Sequence, residues 1–207
     1  MSSEHIDDIV RFAQERIDAF YLRVASLTNH RPRFFAEKCL PQGNVPELVR
    51  ELYPDAREIF LVRDFRDMYT SIRAFNRKRG TAGFGLDGAT SDAVYVSDVL
   101  SPSVESLVRE WRRRGDTSHI VRYEDLVCDP AATIARVLDY LGADSAPEIL
   151  QGMLDRAHSE IPEMQAHRTS GSASESIGRW SRELPEDVAR LCDDAFGPAL
   201  RELGYRS

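Results

Sequence analysis

The chain has 207 residues and a formal net charge of −7, a length that suits one domain with its own hydrophobic core. The acidic balance argues against a protein that binds nucleic acid by neutralising phosphates, and no apolar run approaches the roughly 20 residues of a membrane span. Cys39, Cys128 and Cys192 lie far apart and form no CxxC pair, which favours reduced thiols over a disulfide framework or a zinc site. We therefore expect a single cytoplasmic domain over residues 1–207.

The first quarter of the chain predicts a helix, a strand and a second helix. Apolar residues recur at helical spacing over 4–25, which is typical of a long amphipathic helix. The apolar run 34–36 (FFA) predicts a short strand that ends at Glu37 and Lys38. Asn44 followed by Glu47 is a capping-box pattern and predicts the next helix start. With a strand and a helix following, this order favours a right-handed crossover and a parallel sheet.

Residues 58–72 read as a strand, a sharp polar turn and a helix. The apolar run 59–62 (IFLV) predicts a strand buried on both faces, and Asp64 or Asp67 can cap the helix that follows. Arg63 ends the strand and Ser71 lies inside the helix, at the sheet edge where parallel α/β proteins bind ligands. The pair predicts a phosphate clamp. The alternatives are a salt bridge from Arg63 to either aspartate, and a Ser71 hydroxyl bonded to its own helix backbone.

The rest of the chain alternates helical patterns with one strand. Residues 80–97 are rich in glycine and predict a mobile loop that could cover a substrate. The later predicted elements are a helix from Ser101 to Gly115, a buried strand over 118–123, a helix over 129–142 and a helix over 147–157. A polar, serine-rich stretch follows over 161–183, and a final helix pair begins at Pro185 with a break at Gly197 and Pro198.

Three blocks, taken together in order and spacing, resemble the sulfotransferases over roughly residues 34–184. They are 62–67 (VRDFRD) with Ser71, 122–126 (RYEDL) with Asp129 and Pro130 and a helix ending at Gly142, and 176–180 (SIGRW). The resemblance implies an α/β, P-loop-NTPase-like fold with a small parallel sheet flanked by helices. It also implies an enzyme that uses 3′-phosphoadenosine 5′-phosphosulfate (PAPS), releases adenosine 3′,5′-bisphosphate and needs no metal.

Carried over by residue, the resemblance implies that Arg63 and Ser71 grip the 3′-phosphate of PAPS. A planar guanidinium and a helix-borne hydroxyl suit a phosphate that is positioned and not attacked. Tyr123 matches the family's tyrosine near the adenine; the alternative is a core aromatic residue with a satisfied hydroxyl.

Glu37 and Lys38 resemble the Glu-Lys pair that ends an apolar strand in carbohydrate-type and many bacterial sulfotransferases, where the glutamate is the general base. Partial burial at a strand end raises a carboxylate's pKa, so that it can take the proton of an attacking hydroxyl. Lys38 could neutralise the sulfuryl oxygens or contact the acceptor. The alternative is a surface ion pair.

The carboxyl-terminal phosphate loop departs from the family. Residues 173–175 (ASE) stand where the family usually has Arg-Lys-Gly before Gly-x-Trp. Residues 167–172 (HRTSGS) could replace that loop, because Arg168 supplies charge and the hydroxyls and backbone N–H groups can form an anion-binding nest. A solvated serine-rich linker is the alternative. The residues assigned to the cofactor on this basis are Arg168, Ser172, Ser174, Gly178 and Arg179.

The family's amino-terminal loop, which holds the 5′-phosphosulfate, has no counterpart in this sequence, since residues 1–33 contain no glycine. We therefore expect an amino-terminally truncated sulfotransferase fold whose missing piece comes from a partner chain, an upstream fragment or a swapped second copy. The predicted reaction transfers a sulfuryl group to a hydroxyl or amine of a small-molecule, lipid or glycan acceptor. The alternative is a non-catalytic sulfotransferase-like subunit that binds or scaffolds.

Overall fold

A computed structural model describes residues 3–27, 34–39, 45–81, 83–85, 91–158 and 168–205. The contacts divide the chain into two compact units, Met1–Arg57 and Glu58–Ser207, and each is described by itself. One domain over 1–207 therefore stays a prediction. In the ranges just given, no helix is long and apolar enough to cross a membrane.

The amino-terminal unit contains α1 (Ser3–Ser26) and α2 (Val45–Leu52). Gln14 of α1 donates to the carbonyl of Leu52, and the Tyr53 hydroxyl donates to Asp18 Oδ1 at 2.9 Å, so polar contacts join the end of α2 to α1. The long first helix is confirmed. Its predicted inward face is only partly covered, because Ile9 remains exposed.

The predicted strand over 34–36 is wrong, since residues 34–39 are irregular and no described residue of this unit is in a strand. Phe35 instead stacks on Tyr21 of α1 with ring centroids 4.0 Å apart, and it meets Tyr53 edge-on at 6.0 Å. Packing of the aromatic rings therefore fixes this segment, although its apolar pattern predicted pairing in a sheet.

The carboxyl-terminal unit is built on two parallel strands, β1 (Glu58–Val62) and β2 (Ser118–Arg122), paired in register from Glu58 opposite Ser118 to Val62 opposite Arg122. Its helices are α3 (Phe65–Arg79), α4 (Asp92–Val94), α5 (Ser101–Arg114), α6 (Tyr123–Cys128), α7 (Pro130–Leu141), α8 (Pro147–His158), α9 (Trp180–Glu183) and α10 (Glu186–Glu202). A mostly helical α/β fold with a small parallel sheet is thus confirmed, although β1 pairs with β2 and not with residues 34–36.

The core of this unit lies against one face of the sheet. Val62 of β1 packs there with Phe65 and Tyr69 of α3, Val104 of α5 and Phe196 of α10. On the opposite face of β1, Ile59 and Leu61 are 41% and 61% exposed. Burial of β1 on both faces is therefore wrong, because side chains alternate along a strand and the helical core covers only one side.

The predicted loop over 80–97 is wrong in its second half. After α4, residues Tyr95–Leu100 form a π-helix that runs directly into α5. Tyr95 and Val96 are almost fully buried in the core. Burial of these side chains stabilises the helical backbone, whereas the glycines that suggested a loop all precede this segment.

The predicted break at Gly197 and Pro198 is also wrong, since α10 runs through both residues. A proline inside a helix costs about 3 kcal/mol. Phe196 and Leu200 flank Pro198 and are both buried in the core. Their packing offsets that cost and keeps the helix continuous.

Candidate functional site

The site lies at the carboxyl edge of the sheet. Because β1 and β2 are parallel and Val62 is opposite Arg122, the next residues, Arg63 and Tyr123, emerge side by side. The guanidinium of Arg63 lies over the Tyr123 ring, 4.6 Å from its centroid. Tyr123 is the first residue of α6 and not the last of the strand, so its ring forms a wall beside the strand end.

The Arg63 side chain contacts neutral acceptors. Its Nη1 donates to the hydroxyl of Ser71 in α3 at 3.1 Å, and its Nη2 donates to the carbonyl of Ser176 at 2.8 Å. Its Nε is buried and has no hydrogen-bond acceptor in the described part of the chain. Arg63 and Ser71 are therefore in contact, and Ser71 does not bond back to its own helix; their role as a phosphate clamp stays a prediction.

The alternative of a salt bridge from Arg63 to Asp64 or Asp67 is wrong, because both carboxylates are engaged elsewhere. Asp64 caps α3 by accepting from the backbone N–H of Arg66 at 2.9 Å and pairs with the Arg66 guanidinium at 2.7 Å. Arg66 also pairs with Asp193 at 2.7 Å. Within the described ranges no carboxylate forms a salt bridge with the half-buried Arg63 guanidinium, although Asp67 is close enough to attract it electrostatically, so the guanidinium can also attract an anionic ligand.

Asp67 is a member of this site that the sequence indicated only as a possible helix cap. It is 1% exposed, and its carboxylate accepts from the backbone N–H groups of Gly178 at 2.6 Å and of Trp180 at 2.9 Å. Burial raises the pKa of Asp67. The two hydrogen bonds from backbone N–H groups act in the opposite direction, because they stabilise the carboxylate anion. These partners are 111 and 113 residues away, so no local pattern could have revealed them.

Ser176 was also missed as an individual contact, although it opens the block 176–180. Its carbonyl accepts from Arg63, and its hydroxyl donates to the carbonyl of Ala173 at 2.6 Å. Because that hydroxyl has one hydrogen, its 3.0 Å contact with the Tyr123 hydroxyl is one in which Tyr123 donates. Arg63, Tyr123 and Ser176 therefore orient one another.

In the serine-rich stretch, groups that were predicted to bind an anion are hydrogen-bonded to neighbouring residues of the same stretch. Ser172 accepts at Oγ from the backbone N–H of Glu175 at 3.3 Å, and its own N–H donates to the Glu175 carboxylate at 3.2 Å. This is a capping box, and it occupies groups that were predicted to hold phosphate. Ser174 is exposed beside Ser172, with 3.1 Å between the hydroxyl oxygens, and the Arg168 side chain is exposed.

Gly178 and Arg179 lie in the turn whose backbone binds Asp67 through Gly178 and Trp180. Gly178 has φ of +65° and donates to Asp67. The Arg179 guanidinium is buried and gives all three nitrogens to protein acceptors: Nε and Nη2 to the Glu183 carboxylate, each at 2.8 Å, and Nη1 to the Thr169 hydroxyl at 2.9 Å. In this geometry Arg179 fixes the turn, and its predicted contact with a cofactor, like those of Arg168, Ser172, Ser174 and Gly178, stays a prediction.

Glu37 and Lys38 lie in the irregular segment 34–39 of the amino-terminal unit, and both side chains are exposed. The partial burial expected for Glu37 is therefore not observed. The roles of the two residues as base and charge neutraliser stay predictions.

The fold is that of an α/β protein in which Arg63, Ser71, Tyr123 and Ser176 contact one another at the carboxyl ends of two parallel strands. Comparison with known proteins makes this more specific: the model of the Sulfotransferase family matches residues 1–147. The chain therefore belongs to the sulfotransferase family, which is a family of enzymes. The matched range includes residues 1–33, which the sequence resemblance did not cover, and it ends before the block 176–180.

Several curated proteins are similar to the chain. It is 26% identical to protein-tyrosine sulfotransferase A of Caenorhabditis elegans and 28% identical to protein-tyrosine sulfotransferase of Drosophila melanogaster, in each case over 76% of this chain. It is 27% identical to human carbohydrate sulfotransferase 3 over 73% of this chain. The aligned regions span 41%, 32% and 34% of these three relatives. No solved structure matches the chain.

Proposed function

We propose that this chain binds the 3′-phosphate of PAPS and takes part in sulfuryl transfer to a hydroxyl or amine of an acceptor. The observation that carries the proposal is the Arg63 guanidinium, which is half buried, bonded only to neutral oxygens in the described structure and left with an unsatisfied Nε. A phosphate group bound beside the guanidinium would neutralise its charge.

The residues at this edge fit a phosphate ester. Arg63 supplies charge, and the Ser71 hydroxyl, which accepts from Arg63, keeps its hydrogen available to a phosphate oxygen. The Tyr123 ring offers an apolar wall to a nucleoside, and Ser176 holds both Arg63 and Tyr123. When bound, PAPS would supply the sulfuryl group that is transferred.

We propose Glu37 as the general base, whose carboxylate takes the proton of the acceptor, and Lys38 as a group that neutralises developing negative charge. The relatives are named for tyrosine and carbohydrate acceptors, both of which carry hydroxyls, and this favours a hydroxyl over an amine. We further propose that the 5′-phosphosulfate is held by groups outside the three blocks, supplied by an upstream fragment, a complementing chain or a second copy.

Isothermal titration with adenosine 3′,5′-bisphosphate tests the phosphate site. Wild type is expected to bind it more tightly than adenosine 5′-monophosphate, which lacks the 3′-phosphate. Arg63→Ala should weaken bisphosphate binding by about tenfold or more, since charged hydrogen bonds contribute about 1.5–3 kcal/mol. Arg190→Ala is the matched control, because Arg190 is an exposed arginine paired with Glu186 on α10. No heat from wild type, or equal affinity in Arg63→Ala, would refute the site.

A sulfuryl-transfer assay distinguishes an active sulfotransferase from a non-catalytic subunit of the same family. With a complete donor site, Glu37→Gln should lower turnover by about 100-fold or more while leaving bisphosphate affinity unchanged. Tight bisphosphate binding with no transfer under any complementation would instead favour the non-catalytic binding subunit.

A further inference from the structure

Asp67 occupies an unusual position at the start of α3. It is the third residue of the helix, where an acidic side chain commonly reaches back to the backbone N–H of the capping residue. Here the cap is Asp64, and its N–H donates instead to Glu124 Oε1 of α6 at 3.0 Å. Because Glu124 satisfies that group, the Asp67 carboxylate is available to bind a distant part of the chain.

The distant partner is the segment 176–180, here called the docked segment. Asp67 Oδ2 accepts from Gly178 N–H at 2.6 Å and Oδ1 accepts from Trp180 N–H at 2.9 Å. Both oxygens of one buried carboxylate are thus used on two backbone donors two residues apart. Such a pair of charged hydrogen bonds fixes the orientation of the segment as well as its location.

The same segment orients the phosphate clamp. Ser176, two residues before Gly178, accepts from Arg63 Nη2 at 2.8 Å and from the Tyr123 hydroxyl. We propose that Asp67 is a positioning residue of the phosphate site: it docks 176–180 on α3 and thereby holds the Arg63 guanidinium in its binding orientation. The effect on ligands rests on the proposed function, whereas the docking does not.

Asp67→Asn is the sharpest perturbation, because it keeps the shape but replaces one acceptor oxygen by an NH₂ donor. That NH₂ would face a backbone N–H, so one of the two hydrogen bonds is lost. Hydrogen exchange at the Gly178 and Trp180 amides should become at least about tenfold faster. Glu110→Gln is the control, since Glu110 is a buried carboxylate paired with Arg109 and Arg113 of its own helix.

A ligand readout separates positioning from a general loss of stability. The ratio of affinities for adenosine 3′,5′-bisphosphate and adenosine 5′-monophosphate should fall about tenfold in Asp67→Asn and stay unchanged in Glu110→Gln. General destabilisation would weaken both ligands alike. An unchanged ratio in Asp67→Asn would overturn the inference while leaving the proposed function intact.

Two further outcomes keep the tests separate. If wild type shows no preference for the 3′-phosphate, the proposed function fails, and exchange at the two amides still decides whether Asp67 docks the segment. If Asp67→Asn does not fold, wild type alone suffices: by reciprocity, the bisphosphate must slow exchange at Gly178 and Trp180 more than the monophosphate does. Equal slowing would overturn the inference.

Discussion

Two arginines in the same six-residue block should differ strongly in how far their removal destabilises the fold. Arg66→Ala should destabilise it strongly and Arg63→Ala only weakly, although the two residues are three positions apart around the start of α3. The reason is the difference in their partners: Arg66 is buried and paired with Asp64 and Asp193, whereas Arg63 bonds to neutral oxygens. Arg66 holds the fold together, and Arg63 is available to a ligand.

The magnitudes follow from what each truncation leaves behind. Without Arg66, the Asp64 carboxylate, in a residue only 7% exposed, loses its cation, and breaking a buried pair from one side costs about 3–5 kcal/mol. The guanidinium also lies 3.9 Å from the Trp180 ring centroid, and this stacking is lost too. Without Arg63, two hydrogen bonds from a charged donor, of about 1.5–3 kcal/mol each, disappear, but the cost of holding a half-buried charge without a salt bridge is relieved. The net cost should therefore stay below that of removing Arg66.

Urea unfolding with and without adenosine 3′,5′-bisphosphate measures both effects. Arg66→Ala should lower the free energy of unfolding by the larger amount, with an unchanged urea dependence if two-state behaviour holds. Bisphosphate at about 100 times its Kd should stabilise wild type by about 2.7 kcal/mol, and at that concentration Arg63→Ala should gain much less. Equal destabilisation by the two substitutions, or full ligand protection of Arg63→Ala, would refute the reasoning.

Two other predictions address the aromatic wall and the thiols. Tyr123→Phe should lower the free energy of unfolding by about 0.5–1.5 kcal/mol, because the hydrogen bond to Ser176 is lost, and should change bisphosphate affinity little. Tyr123→Ala also removes the ring that stacks under the Arg63 guanidinium, so it should weaken bisphosphate binding as well. Titration and urea unfolding check this, and identical behaviour of the two variants would contradict it. Burial raises the pKa of Cys192 to about 12 from 9.0, so it should resist thiol reagents at pH 8 until the protein unfolds, while the exposed Cys39 and Cys128 react. Because the pKa of Cys192 is raised in the folded state, the contribution of this thiol to stability is complete below pH 9 and is lost as the pH rises through 12. Unfolding measured at alkaline pH checks this. Fast labelling of all three thiols in the native protein would contradict the burial of Cys192.

The elements that sequence patterns predicted well are those whose cause is local. The strand 58–62, the Asp64 cap and the helix after it follow from an apolar run, a polar turn and helical spacing, and all occur in the structure. Arg63 and Ser71 are eight residues apart on this strand, turn and helix, so their contact was predictable before any distant partner was known.

The predictions that failed depended on partners elsewhere in the chain. The run 34–36 has the composition of a strand, but Phe35 stacks on Tyr21 instead of joining a sheet. Residues 95–97 follow a glycine-rich stretch, but Tyr95 and Val96 are buried and helical. In both places tertiary packing outweighed the local pattern.

The sequence by itself determined that a parallel strand ends in an arginine within a sulfotransferase-like block, because strand, cap and helix signals act over a few residues. Only the tertiary structure decided that this arginine forms no salt bridge in the described ranges, since Asp64 pairs with Arg66 and Asp67 accepts from the docked segment. Ion pairing depends on which groups meet in space, and the two carboxylates one and four residues after Arg63 bind other partners. This pairing leaves the Arg63 guanidinium bonded to neutral oxygens, which is the observation on which the proposed phosphate site rests.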